Sequence, residues 1–136
     1  MIVVAGTWEI GWNSPIKEVE LWKYPLRDFG VDHLAMYPVS GIKDRFLREF
    51  DSLESLVSNY DLPVIIVDEK GSCNLSNFKH PKSALYLFGK ASYSPLASLP
   101  EAESIVIPTN QNRGLLWPHQ AASIVLYDRH LKWQSQ

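Results

Sequence analysis

Apolar residues follow two rhythms along this chain. The runs "MIVVAG" (1–6), "HLAMYPV" (33–39), "LPVIIVD" (62–68), "ALYLFG" (84–89) and "ESIVIP" (103–108) are short and nearly continuous. Each is closed by Gly, Pro or a charged residue, the pattern of a buried β-strand. Between the first two, Ile16, Val19, Trp22, Leu26 and Phe29 recur at steps of three and four. That spacing predicts an amphipathic helix opening at Pro15 and closed by Gly30, with Pro25 kinking it and freeing the carbonyl of Leu21. Phe46, Phe50, Leu53, Val57 and Tyr60 also fall on one helical face. They predict one helix, or two with a new cap at Asp51 or Ser52. Residues 69–83 are polar, with Gly, Asn and Pro, and read as a loop. "YSPLASLP" (93–100) has room for one helical turn.

The last helix is predicted over about 118–132, with Pro118 in its first turn. It is apolar on almost every side, so the rest of the chain, a second subunit or both must cover it. "DRH" and "KW" at its end read as a solvated last turn, with cations where the helix dipole prefers them. Continuous apolar strands alternating with helices indicate strands covered on both faces. The expected class is therefore α/β, with a mainly parallel sheet flanked by helices. In such sheets ligands bind beyond the strand C-termini, where the strand order reverses. The loops that matter begin at Gly6, Asp68, Gly89 and Pro108.

Composition narrows this picture only a little. The 136 residues fit one domain, 1–136, with 46% hydrophobic and 21% charged residues. Five Trp, six Tyr and five Phe argue against a disordered chain. A formal net charge of −2 leaves any nucleic-acid partner to a local patch. The single cysteine, Cys73, allows no intrachain disulfide or zinc cage, which points to a reducing compartment, and lacks a nearby histidine to make it a nucleophile. The N-terminal apolar run is too short for a leader or a membrane span. A cytoplasmic location is expected, with no membrane partner.

Motifs that identify a reaction are missing. Gly6 and Gly11 are too sparse for a dinucleotide or Walker loop, and no His, Cys or carboxylate pair has metal-ligand spacing, so no metal is expected. Asp68 and Glu69 end a strand, where they suit acid/base chemistry, ribose binding or a solvated loop. His119 lies in the first turn of the last helix, where the dipole disfavours its protonation.

Three longer stretches carry a resemblance. "WNSPIKEVELWKYPLRDFGVDHLAMYP", "LYLFGKASYSPL" and "IVIPTNQNRGLLWPHQAASIVLYDRH" resemble, in order, the three motif regions of the SpoU/TrmH branch of the SPOUT RNA methyltransferases. The family's first region ends in "FG" before strand two, its second reads "FG-x-E-x-x-G-L", and its third passes from "IPM" to "AAAIVLYE". The resemblance covers essentially the whole chain. It implies a SPOUT-type knotted fold, with a C-terminal trefoil knot whose last helix packs in a homodimer interface, and the apolar face of Ala121, Ala122, Ile124, Val125 and Leu126 fits a helix buried within and between subunits. It also implies S-adenosylmethionine, held mostly by backbone groups of the knot loops, and methyl transfer to a ribose 2′-hydroxyl of tRNA or rRNA. The matching cofactor positions are Val67, Gly89, Ile107 and Leu116.

The chain departs from the family where side chains do the chemistry. Tyr24 stands at the Arg of the first motif, Ala91 or Ser92 at the Glu of the second, Trp117 at the Asn of the third and His119 at a Ser. His119, Arg113 and Arg27 remain as candidate catalytic groups, with Lys23 as a further cation. Two readings stay open: an enzyme with weak or lost activity, and a non-catalytic dimer serving as an RNA-binding or assembly module. A third is an unrelated flavodoxin-like nucleotide-binding protein.

Overall fold

The computed structural model describes residues 1–8, 14–90, 93–110 and 116–134. Seven strands, β1 (Ile2–Thr7), β2 (His33–Tyr37), β3 (Leu47–Glu49), β4 (Val64–Val67), β5 (Cys73–Asn74), β6 (Ala84–Phe88) and β7 (Glu103–Val106), form one sheet. Its order is β3-β2-β1-β6-β4-β7-β5, and every pairing is parallel. Three helices accompany it: α1 (Pro15–Asp28), α2 (Leu53–Ser58) and α3 (Pro118–Gln134). The strands expected from the apolar runs and the mainly parallel α/β class are thus present. The 3₁₀ turn Leu96–Ser98 fills the place expected for one helical turn.

The apolar runs are continuous because the two faces of the sheet are buried under different helices. Val4, Leu34, Met36, Ile65, Val67, Tyr86 and Phe88 share one core with Val19, Trp22 and Leu26 of α1 and Ala122, Val125 and Leu126 of α3. Val3, Ala5, Ala35, Ile66, Leu85 and Leu87 share the other with Leu53 and Leu56 of α2. The alternation along each strand is the period-two geometry of extended backbone.

Local chemistry sets the helix ends. Ser14 accepts the Lys17 amide at the start of α1. At the other end Gly30, at φ +74°, lets the Gly30 and Val31 amides reach back to Arg27 and Leu26 at 3.1 Å each. The helix runs through Pro25 to Asp28, and its buried stripe is Glu18, Val19, Trp22 and Leu26. Ile16, expected on that stripe, is 63% exposed.

Three further expectations are corrected. Residues 47–49 are strand, not helix. The amide of Leu34 bonds Phe46 O at 2.8 Å and the amide of Phe50 bonds Met36 O at 3.0 Å, so sheet pairing with β2 overrides a helical spacing of apolar residues. Helix α2 starts afterwards at its Ser52 cap, one of the two expected positions. The 69–83 segment contains β5 and a 3₁₀ turn at Leu75–Asn77.

The polar end of α3 is not a solvated turn. Arg129 is only 7% exposed; its guanidinium donates to the carbonyls of Pro81 and Lys82 and to the Tyr86 hydroxyl. Lys132 donates to Leu75 O (2.7 Å) and Phe78 O (2.9 Å) and pairs with Asp128 (2.8 Å). Between these cations lies the buried His80, with Nε2 2.8 Å from Asp128 and Nδ1 2.7 Å from the Tyr86 hydroxyl. A carboxylate only accepts, so Nε2 carries the proton, and Nδ1 accepts from a Tyr86 hydroxyl whose oxygen already accepts from Arg129. Burial lowers the His80 pKa, against the opposing pull of Asp128, which keeps this neutral arrangement. The network fastens α3 to the segment leading into central strand β6.

Candidate functional site

Strands β1 and β6 lie side by side at the centre of the sheet, and the chain leaves them in opposite directions. From β1 it goes through α1 to β2; from β6 it goes to β7, on the far side of β4. The C-terminal ends of β1, β6, β4 and β7 therefore border the crevice where a doubly wound sheet offers a ligand site. Parallel register puts Val67 beside Phe88 and beside Ile105, so the loops after β4, β6 and β7 begin side by side.

The described parts of the loops after β4 and β6 are tightly built. After β6, Lys90 and Tyr93 exchange both backbone hydrogen bonds at 2.9 Å. A Cβ at Gly89 would overlap the carbonyl oxygen of Tyr93 and come within 3.1 Å of Pro95, so the loop's own return demands glycine there. After β4, the Asp68 carboxylate accepts the Lys70 amide at 2.9 Å, and the Gly71 amide bonds Asp68 O at 3.0 Å. That turn presses Gly71 onto β7: a Cβ would overlap the carbonyl of Ile105 and approach the amide nitrogen of Val106 at 2.8 Å.

Helix α3 brings rings to the same end. His119 meets Trp117 edge-on at 5.5 Å and Trp22 at 6.3 Å, and Trp22 meets Phe88 at 5.9 Å. Partial burial among these rings lowers the His119 pKa. The direction is the one a helix N-terminus implies; the cause is burial.

The residues singled out from the sequence divide between two ends of the molecule. Val67, Gly89 and Ile107 stand at the C-terminal ends of adjacent strands, and Leu116 and His119 where α3 begins. Arg27 lies in the last turn of α1, where the chain turns back into β2; its charge helps hold the Asp44 carboxyl low, after the Phe46 amide and Lys23. Lys23 pairs with Asp44 at 3.0 Å. Tyr24 is exposed on α1. Asp68 serves its own turn, Glu69 is exposed, and Cys73 is half-buried in β5. Arg113, Ala91 and Ser92 lie outside the described residues.

Two charged groups at the crevice were not singled out from the sequence. Glu18, in the first turn of α1, is buried at 4% exposure. Its spacing of four from Trp22 and eight from Leu26 puts it on the buried stripe, a signal the apolar count passed over. Lys90, directly after β6, sends its ammonium to Trp8 O at 3.3 Å, across the end of β1. Among the described residues no group of three or more His, Cys, Asp or Glu is placed to hold a metal ion, and no helix is long and apolar enough to cross a membrane.

No family sequence model and no curated protein sequence matches the chain. Solved structures do match its fold. One, from work on the 2-OH methylation of C/U34 on tRNA, is similar over 99% of this chain and 98% of its own, with a TM-score of 0.78 at 12% identity. The SpoU methyltransferase AviRb from Streptomyces viridochromogenes, in complex with AdoMet, is similar over 100% of this chain with a TM-score of 0.73 at 14% identity. An RNA 2′-O ribose methyltransferase is similar over 98% of this chain with a TM-score of 0.69 at 17% identity. The chain spans 61% and 57% of those last two proteins. Its fold, a mainly parallel sheet flanked by helices, is similar to that of these solved methyltransferases. At these identities the likeness is one of architecture.

Proposed function

We propose that the protein is a divergent SpoU/TrmH-type protein that binds S-adenosylmethionine as a homodimer in the cytoplasm and acts on tRNA or rRNA. The observation that carries this reading is the convergence of the loops after β4, β6 and β7 at the crevice, in a fold matched over almost its whole length by a tRNA-methylation structure. In this reading the end of the chain is threaded as a trefoil knot. Backbone groups at Val67, Gly89, Ile107 and Leu116 hold the cofactor, which supplies the methyl group. Gly89 and Gly71 pack the turns after β6 and β4 against the chain's own backbone, which fixes the backbone groups that the reading assigns to the cofactor.

The dimer is supported by α3 itself. Ala121, Ala122, Val125 and Leu126 are buried within the chain, while Ile124, Tyr127 and Leu131, spaced three and four apart, are 40%, 53% and 47% exposed. An exposed apolar seam of that spacing suits a second helix.

Turnover in this reading is slow. Trp117 and Tyr24 occupy positions where the resemblance has polar catalytic groups, and losing one such group costs about 10²- to 10⁴-fold. His119, neutral among its rings, is the base we assign. The non-catalytic reading draws on the same substitutions. Calorimetric titration with S-adenosylmethionine tests the reading: one saturable site per chain is expected, and no binding removes it. Transfer of labelled methyl groups to bulk tRNA or rRNA, abolished by His119→Ala, separates a slow enzyme from a binding module. Sedimentation tests the dimer, with Ile124→Glu expected to give a folded monomer; a wild-type monomer at micromolar concentration refutes the interface.

A further inference from the structure

Lys90 is placed unlike the other lysines of this chain. Its backbone is fixed by the paired hydrogen bonds with Tyr93, at the end of the central strand β6. Its side chain is half-buried and crosses to β1, where Nζ meets Trp8 O at 3.3 Å. Trp8 is itself anchored, its indole N–H donating to Pro38 O at 2.8 Å. The ammonium is thus held over the line between β1 and β6, where the strand order reverses.

An ammonium has three donors, and one long bond to a neutral carbonyl occupies one of them. The ion pairs among the described residues are Lys23–Asp44 and Lys132–Asp128, and Lys90 is in neither of them. With no ion-pair partner among the described residues, this half-buried ammonium keeps donors for an incoming anion. It is stabilised when an anion arrives, and a charge-assisted hydrogen bond is the stronger for the lowered local dielectric.

We infer that Lys90 is the oxyanion-binding residue of this crevice, taking a carboxylate or phosphate of the bound ligand. This rests on the proposed reading of the crevice as the ligand site. The oxyanion has two sources: the carboxylate of S-adenosylmethionine or a phosphate of the RNA.

The test compares wild type with Lys90→Met, which keeps the apolar stem, and Lys90→Arg, which keeps the charge. Each is titrated with S-adenosylmethionine, methylthioadenosine (which lacks the carboxylate), a short single-stranded oligoribonucleotide and inorganic pyrophosphate. If the cofactor carboxylate is the partner, Lys90→Met weakens S-adenosylmethionine about tenfold or more and leaves methylthioadenosine unchanged. If an RNA phosphate is the partner, cofactor affinity is unchanged. The oligoribonucleotide then weakens, and its slope of log affinity against log salt falls by about 0.7. Lys90→Arg restores most of either loss. Pyrophosphate needs neither cofactor nor RNA: binding that shifts the Lys90 side-chain resonances and disappears in Lys90→Met supports the anion site even where the methyltransferase reading has failed. Unchanged affinity of Lys90→Met for all four ligands, at unchanged melting temperature, overturns the inference while leaving that reading standing.

Discussion

The clamp at the end of α3 makes a quantitative prediction through Arg129→Met. The substitution keeps the apolar stem and removes the guanidinium, with its bonds to Pro81 O, Lys82 O (2.6 Å) and the Tyr86 hydroxyl (3.1 Å). A hydrogen bond from a charged donor contributes about 1.5–3 kcal/mol. The two carbonyls sit at the rim of the structure, where water reaches them after truncation, so about 1 kcal/mol each is the fair figure. The Tyr86 oxygen is buried and gains no water, which adds about 1 kcal/mol, and the lost stacking over Trp133, at 5.6 Å, adds about 0.5. The expected loss is about 2–4 kcal/mol, or roughly 10 °C in melting temperature for a chain of this size. Urea unfolding followed by tryptophan fluorescence checks it, with Lys79→Met in the same segment as an exposed control. The midpoint should fall with unchanged slope in the first variant and stay put in the control. A loss below about 0.5 kcal/mol for Arg129→Met would refute the clamp, since exposed substitutions fall in that range.

Two further outcomes follow from the same geometry. His80, His33 and His119 all have pKa values lowered from 6.5, chiefly by burial. Below pH 6.5 the unfolded chain takes up protons that the folded chain refuses, so stability is flat above that pH and falls below it. The slope is at most about 1.4 kcal/mol per pH unit for each group. Urea midpoints measured between pH 8 and 5 should show this, with His80→Gln flattening part of it; stability that holds or rises on acidification would contradict the burial argument. Gly71→Ala places a methyl group against the Ile105 carbonyl and the Val106 amide, and either the 68–72 turn or β7 must shift. Hydrogen exchange should show lost protection at Ser72 and Asn74, with about 1–3 kcal/mol of destabilisation, while wild-type protection in that variant would mean the turn has slack.

Much of the architecture was legible because it rests on local rules. Strand runs such as Val64–Val67 and Ala84–Phe88 are apolar on both faces only because helices cover both, so the sequence by itself determined a parallel α/β sheet and the loops in which to look for a site. Gly30 at the end of α1 and Ser52 at the start of α2 were readable because caps are short-range chemistry. The spacing that marked His119, Val67, Gly89 and Ile107 came from motif order, and parallel pairing then set the last three at neighbouring strand ends.

What only the tertiary structure decided depends on partners far away in the chain. Residues 47–49 became strand because β2 offered a hydrogen-bonding edge, a contact that no periodicity within 46–60 encodes. "DRH" and "KW" looked like a solvated turn because charged residues at a helix end usually are. Arg129 and Lys132 are instead drawn in by carbonyls of residues 75–82, between 47 and 57 positions earlier. Lys90 acquired its meaning the same way: its significance lies in reaching Trp8, 82 residues back, across the line between β1 and β6. Local sequence sets backbone preference and hydrophobic rhythm, whereas the value of a charge is set by what the folded chain puts beside it.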